Sequence, residues 1–216
     1  MAAVLPAAPP MTDILRQAGD HVTRLMNASL PPGTSYHTVD HVRETVAAAL
    51  EIGTACGLRG DTLEVVLLAA WFHDTGYVDG PEDHEARSAA AARAFLLERG
   101  YPEDRVRAVE GCILATRVPQ RPVSVAEEVL ADADMIHLGG EAFFAKADLM
   151  RAEFEAREGR RFTEAEWLRR NIEFVAAHRY HTGYARRAYE RRRAENLAVL
   201  RARFAEAPVS PVVRTS

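Results

Sequence analysis

Apolar residues recur at spacings of three and four positions along most of the chain, within stretches rich in alanine, leucine, arginine and glutamate. This spacing puts apolar side chains on one face of a helix, and strand-like alternation is missing over any useful length. The pattern therefore predicts an all-α protein, a bundle of about eight to nine helices. The predicted helices are Asp13–Asn27, Val39–Cys56, Asp61–His73, Glu82–Arg99, Glu103–Thr116, Ser124–Met135, Glu141–Arg157, Glu164–His178 and Tyr184–Ala205.

Several helix ends carry local signals that agree with these boundaries. Thr163 stands three residues before Glu166, which is the spacing of a capping box at a helix N-terminus. Gly57, Gly100 and Gly159 follow predicted helices and indicate where they stop.

The length of 216 residues suits one domain. We expect a single helical domain over residues 12–206, with disordered tails at 1–11 and 207–216. No signal-peptide pattern and no run of about 18 apolar residues is visible. Cys56 and Cys112 fit neither a metal-ligand spacing nor a disulfide framework, which favours a cytoplasmic location.

The formal net charge of -4 and the pI near 6.1 bear on which partners the chain is expected to bind. Nothing global attracts such a chain to nucleic acid or to an anionic membrane surface, so neither is predicted as a partner. The oligomeric state stays open.

Three segments hold nearly all the metal-capable side chains that lie beside apolar helical sequence: 36–42 (YHTVDHV), 69–77 (AAWFHDTGY) and 130–139 (LADADMIHLG). His73 and Asp74 close an apolar helix that must lie in the core, where a carboxylate and an imidazole need partners. At a helix end the backbone can turn so that both reach one ion. Asp134 follows a second apolar stretch, and His41 begins an amphipathic helix.

These side chains make a mixed set of nitrogen and oxygen donors. Two imidazoles and two carboxylates suit one six-coordinate divalent ion such as Mn, Fe, Co, Ni or Mg, with two positions left for water or phosphate. Open positions indicate catalysis. The predicted ligands are His41, His73, Asp74 and Asp134, with Asp74 also counted as catalytic.

The same residues resemble the HD superfamily of metal-dependent phosphohydrolases, whose pattern of H, then HD, then D they match. The chain is most similar to a bacterial branch of predicted HD phosphohydrolases, over nearly everything except the two tails. The matching segments are YHTxxH at 36–41, WFHDTGY at 71–77, HExxSA at 84–89, AT followed by prolines at 115–122, DADxxHLG at 132–139, and EWxxxNIEF, HRYHT and AxxxRxxN within 166–196. The resemblance implies an HD-domain helical bundle and a small phosphorylated, nucleotide-like substrate.

His37 and His41 are four residues apart and could share a helical face, so either could be the first ligand. The segment is also similar to the YHNxxHA segment of cyclic-nucleotide phosphodiesterases, in which the second histidine binds metal and the first acts on the leaving group. This similarity implies that His41 is the ligand and that His37 is a general acid.

A similar choice arises between Asp132 and Asp134. The usual HD pattern favours Asp134 as the ligand, which leaves Asp132 as a residue near the site, touching ligands or substrate, or as a helix cap. His84 and Glu85 are predicted to lie near the pocket as substrate or supporting groups. The extra histidines of two-metal members are missing, so one ion is expected. His137, His178 and His181 are assigned mainly structural roles.

The favoured hypothesis is a hydrolase that cleaves a phosphoester or phosphoanhydride by attack of metal-bound water. Two alternatives stay open from the sequence. One is a catalytically weak binding or regulatory module that keeps the fold, and the other is a di-iron oxygenase of the HD type, which needs the missing histidines.

Overall fold

A computed structural model describes residues 12–207. Within this range the chain forms nine α-helices, two short 3₁₀ segments and no strand, which confirms the all-α prediction. The helices are α1 (Asp13–Ser29), α2 (Val39–Ala55), α3 (Gly60–Phe72), α4 (His84–Glu98), α5 (Glu103–Leu114), α6 (Val125–Asp134), α7 (Phe143–Glu158), α8 (Glu164–Ala177) and α9 (Gly183–Glu206). The 3₁₀ segments are Thr75–Asp79 and Ile136–Gly139. Helix ends differ from the predicted ones by a residue or two.

The predicted tail of residues 1–11 lies outside the described residues, as do residues 208–216. Ala207, with which the second predicted tail begins, directly follows α9, and its N–H donates to the carbonyl of Phe204 over 3.3 Å. Among the described helices, none combines the length and apolar character that a membrane crossing needs.

The predicted capping box at the start of α8 is present. The Thr163 side chain accepts from the N–H of Glu166, and the Glu166 carboxylate accepts from the N–H of Thr163. Two otherwise unpaired backbone groups are thereby satisfied, which fixes where α8 begins. Gly159 ends α7 in the left-handed conformation, at φ +64°.

Helix α3 lies at the centre of the bundle and contacts α1, α2, α4, α5 and α6. Its sequence is apolar on every side, which is the pattern of a helix buried all round. The residues that follow it are therefore buried too, and His73 and Asp74 are 0% and 3% exposed. Two polar side chains therefore lie in the core, almost inaccessible to water.

The segment after α3 lies between two predicted helices and forms a 3₁₀ turn. The N–H of Tyr77 donates to the carbonyl of Asp74 over 3.0 Å, and the N–H of Gly76 donates to Ser88 Oγ over 2.8 Å. His73 keeps helical backbone angles (φ -52°, ψ -34°), whereas Asp74 departs from them (φ -111°, ψ 6°). The chain therefore leaves the helical path at Asp74, and Oδ2 of Asp74 comes within 3.3 Å of Nε2 of His73.

The apolar side chains form two cores. The larger core joins α1 to α6. The smaller core lies between the second 3₁₀ segment and α7 to α9, and contains Met135, Leu138, Phe143, Leu168, Val175 and Leu200. Both cores meet at the end of α6, where Asp134 lies.

Gly76 allows α4 to approach the 3₁₀ turn closely. A Cβ at this position would lie 2.2 Å from the backbone oxygen of His84, a contact that only a backbone shift relieves. We expect Gly76→Ala to lower the free energy of unfolding by about 1–3 kcal/mol or more, measured by denaturant unfolding. Gly111→Ala in α5 is the matched control, because the nearest atom to its new Cβ would be Oε1 of Glu127, 3.7 Å away. A Gly76→Ala protein as stable as this control would contradict the expectation.

Candidate metal centre

Four side chains meet at the ends of three helices: His41 in the first turn of α2, His73 and Asp74 after α3, and Asp134 at the last residue of α6. Nε2 of His41 lies 3.1 Å from Oδ1 of Asp134 and 3.4 Å from Nε2 of His73. Oδ2 of Asp74 lies 3.3 Å from both of these imidazole nitrogens. The structure therefore brings together all four residues that the sequence analysis selected as ligands.

These spacings fit donors that surround one ion. Two atoms that each lie about 2.0–2.2 Å from an ion, at angles between octahedral and tetrahedral, are separated by about 2.8–3.6 Å. One ligand atom each from His41, His73 and Asp134 lies within 4.8 Å of the others. The same distances also allow direct hydrogen bonds between these side chains. The protonation of the histidines and aspartates therefore distinguishes a metal site from a hydrogen-bonded cluster.

The hydrogen bonds of His73 and Asp74 favour a cation. Nδ1 of His73 lies 2.8 Å from the carbonyl oxygen of Ala70, which can only accept, so Nδ1 carries a proton. In the neutral ring this leaves a lone pair on Nε2, where it faces Asp74. Oδ2 of Asp74 is buried and has no hydrogen-bond partner in the described residues. A buried carboxylate oxygen of this kind needs a positive partner.

The local charges point the same way. Burial raises the pKa of Asp74, but His73 and His41 more than offset this and hold the pKa well below its ordinary value. Burial lowers the pKa of His73, but Asp74 and Asp134 raise it well above the ordinary value. Two ionised carboxylates therefore attract positive charge, which two imidazole protons or one divalent ion can supply. The donor set fits a divalent ion such as Mn, Fe, Co, Ni or Mg.

His37 does not join this cluster through its Nδ1, which lies 2.5 Å from Oε1 of Glu153. Its ring also stacks on Tyr77, with 3.9 Å between centroids and 11° between planes. An imidazole held on one edge by a carboxylate and on one face by an aromatic ring keeps a fixed orientation. The other ring nitrogen, Nε2, then remains to exchange a proton.

Glu153 of α7 was not among the predicted site residues. It is 5% exposed, and its second oxygen accepts from the backbone N–H groups of Ser35, Tyr36 and His37 over 3.0, 2.8 and 3.1 Å. One carboxylate thus fixes both the loop before α2 and the imidazole of His37. Burial raises the pKa of Glu153, but the bonds from His37 and the backbone lower it to about 2.

The lowered pKa of Glu153 makes part of the stability depend on pH. Because the folded pKa lies below the ordinary 4.5, this stabilisation is complete above about pH 4.5 and is lost as the pH falls toward 2. We expect Glu153→Gln to be less stable by about 1–3 kcal/mol at neutral pH and to lose less on acidification. Denaturant unfolding at neutral pH and at about pH 3 measures both effects. The exposed Glu173→Gln is the control, and a Glu153→Gln protein with the wild-type pH dependence would contradict the assignment.

His84 and Glu85 lie at the start of α4 and line the same cavity as Asp74. Nδ1 of His84 lies 2.9 Å from the carbonyl of Pro81, and Nε2 lies 3.6 Å from Oδ1 of Asp74. This gap is too long for a direct hydrogen bond. Glu85 is 8% exposed, with Arg117 3.6 Å away. The position of His84 and Glu85 in the cavity wall allows either to contact a substrate that lies beside Asp74.

Asp132 has a different place from the other selected carboxylates. It is fully buried, and its two oxygens accept from the backbone N–H groups of His181 and Thr182 over 2.7 Å each. It does not line the cavity at Asp74 and has no oxygen left for a substrate. This position places Asp132 against the two residues that precede α9 and away from the cavity, and not beside ligands or substrate as expected.

His137, which was expected to have a mainly structural role, lies in the candidate site. It lines the cavity, and its Nδ1 lies 3.0 Å from the hydroxyl of Tyr36. Burial and the nearby His41 lower the pKa of His137 to about 4. The ring is therefore neutral at physiological pH, where it acts as a hydrogen-bonding group.

A cavity of about 330 Å³ opens above the cluster. Its lining includes Asp74, Asp134, His37 and His84, together with side chains of α7 and α8. A small organic molecule fits a space of this size. Reactive groups therefore line a hollow that has room for a substrate.

Solved structures with this architecture match over nearly the whole chain. A predicted HD superfamily hydrolase from an uncultured Thermotogales bacterium has 20% identity and a TM-score of 0.60, and covers 89% of this chain and 92% of its own. A Lactobacillus plantarum protein has 17% identity and a TM-score of 0.67, with 91% and 98% covered. YpgQ of Bacillus subtilis, crystallised with ADP, has 20% identity and a TM-score of 0.63, with 90% and 98% covered.

The protein therefore has the fold of the HD superfamily, as the sequence resemblance implied. No protein-family model matches the chain, and no curated protein matches its sequence. At identities of 17% to 20% the likeness extends to the fold, and activity has to be argued from the site.

Proposed function

We propose that the protein is a metal-dependent phosphohydrolase that cleaves a phosphoester or phosphoanhydride of a small metabolite, such as a nucleotide. The observation that carries the proposal is Oδ2 of Asp74, which is buried between the Nε2 atoms of His41 and His73 and has no hydrogen-bond partner within residues 12–207. The solved structures support it at the level of fold, and one of them, YpgQ, was crystallised with ADP. We place the whole activity in a single domain over residues 12–206.

In this proposal His41, His73, Asp74 and Asp134 hold one divalent ion. Such an ion lowers the pKa of water and neutralises charge on a phosphoryl group. The protein's own part is to hold the four donors at fixed distances in a buried place and to keep both aspartates ionised. His84 and Glu85 lie beside the substrate phosphate.

His37 supplies the proton that the leaving oxygen needs. Glu153 holds Nδ1, so the proton is delivered from Nε2, and Tyr77 keeps the ring plane fixed. A positioned histidine suits this task because its ordinary pKa lies close to neutral.

The test is a metal-supplemented screen of p-nitrophenyl phosphate and a nucleotide panel, with elemental analysis of the purified protein. We expect about one divalent ion per chain and turnover that a chelator removes. Stoichiometric metal without turnover on any phosphate ester would favour the binding-module alternative. A closed tetrahedral zinc site would contradict the open coordination that catalysis needs.

A further inference from the structure

The segment similar to EWxxxNIEF, at 166–174, has no part in the metal centre. It forms the first three turns of α8, and Trp167, Asn171 and Phe174 follow one another at spacings of four and three. Residues at these spacings share one helical face. All three, with Arg170, line the cavity above Asp74. This face of α8 therefore forms a wall of the hollow in which the proposed reaction occurs.

Helix α7 also contributes to the lining, with Met150 and Phe154 four residues apart. The rings of Phe154 and Trp167 lie 6.0 Å apart at 72°, an edge-to-face contact that fixes both. The guanidinium groups of Arg157 and Arg170 each lie 4.4 Å from the centre of the Phe154 ring. This part of the lining is therefore mainly aromatic, with arginine at Phe154, in contrast to the carboxylates and imidazoles around Asp74.

The aromatic part of the cavity lining is also partly open to solvent. Phe174 is 37% exposed although it faces a cavity, so part of its ring has no protein neighbour. Asn171 donates its amide to the carbonyl of Trp167 over 2.8 Å, which fixes the side chain and leaves its oxygen as an acceptor. A sugar phosphate without a base would contact the polar residues around Asp74 and leave the aromatic rings of α8 exposed to water.

We propose that the face of α8 formed by Trp167, Asn171 and Phe174 is a subsite for a flat heterocycle. Its ligand is the base of a nucleoside phosphate, whose faces contact aromatic rings and whose ring substituents donate to Asn171. Stacking suits this ligand because every base has an aromatic face. This subsite proposal rests on the proposed function, which puts the phosphate beside Asp74. The experiment below tests the subsite and the hydrolysis separately.

Trp167 is a built-in reporter of this subsite. The chain has two tryptophans, and Trp71 packs in α3 against Gly19, away from the cavity. In a full-length Trp71→Phe protein, fluorescence therefore reports on Trp167 alone. The probe is the 5′-phosphonate analogue of adenosine monophosphate, whose P–C bond resists hydrolysis, titrated with Mg²⁺ present. Methylphosphonate carries the same anion without a ring and is the matched ligand control.

Phe174→Ala tests the stacking, and Phe204→Ala is its control, because Phe204 is equally exposed at 36% on α9 and does not line the cavity. We expect the adenosine phosphonate to quench Trp167 and methylphosphonate not to do so. We expect Phe174→Ala to raise the dissociation constant by about five- to 150-fold, while Phe204→Ala leaves it unchanged. Thermal unfolding of both variants checks that each retains the fold.

Absence of saturable quenching, or equal effects of Phe174→Ala and Phe204→Ala, overturns the subsite whether or not the protein hydrolyses esters. Quenching that follows Phe174, in a protein that hydrolyses no phosphate ester with any metal, upholds the subsite while the proposed function fails.

Discussion

Replacing Asp74 with alanine is expected to remove metal binding and hydrolysis together. Asp74 offers a buried oxygen 3.3 Å from Nε2 of both His41 and His73, and its negative charge is what draws a cation to this place. Loss of the ion forfeits several kcal/mol of transition-state stabilisation, which corresponds to about a thousandfold or more in rate. Elemental analysis of the purified variant and its turnover of p-nitrophenyl phosphate measure the two effects.

Asp79→Ala is the matched control, because Asp79 ends the same 3₁₀ segment and is exposed. It should keep both metal and activity. Circular dichroism shows whether the Asp74→Ala protein is still helical, so that misfolding is recognised. Stoichiometric metal in a folded Asp74→Ala protein would contradict the assignment of Asp74 as a ligand.

The second large effect is expected at His37. His37→Ala should keep its metal, because its Nδ1 is bound to Glu153 and not to the cluster. A general acid typically contributes about a hundred- to ten-thousandfold, so an ester with a poor leaving group should slow by about that factor. p-Nitrophenyl phosphate should slow much less, since its leaving group needs little protonation. Parallel rate measurements on the two esters give the ratio.

His21→Ala, a histidine of α1 that packs on Phe95, serves as the control and should leave both rates unchanged. Loss of metal from His37→Ala would make His37 a ligand and would reopen the assignment of His41. Equal slowing of both esters with metal retained would mean that His37 orients substrate or water and donates no proton.

The sequence was sufficient for the helices and for the four clustered residues. The spacing of apolar residues located most of the described helices, because a helix with one buried face carries apolar residues at intervals of three and four, whereas the central α3 stands out as a continuous apolar stretch. His73 and Asp74 could be selected because they interrupt apolar sequence at the end of a helix that has to be buried. The preference for His41 over His37 came from a resemblance, and only the tertiary structure separates their neighbours.

Glu153 could not be found in this way. It stands 116 residues from His37 along the chain, within a helix that also carries Glu155 and Glu158, and nothing local distinguishes the glutamate that holds His37 from these two. The role of Asp132 depends likewise on where α9 begins in space. Partners that are distant in sequence leave no periodic signal, so such assignments need the fold.

The two parts of the cavity lining come from different helices. The clustered residues come from α2, α3 and α6, whereas the aromatic wall comes from α7 and α8. Mutations on the cavity face of α8 can therefore accumulate without disturbing the helices that carry His41, His73, Asp74 and Asp134. Under the proposed function, this arrangement gives the protein a route to new substrates in evolution, and it makes α8 the natural target for a library that selects altered ester preference.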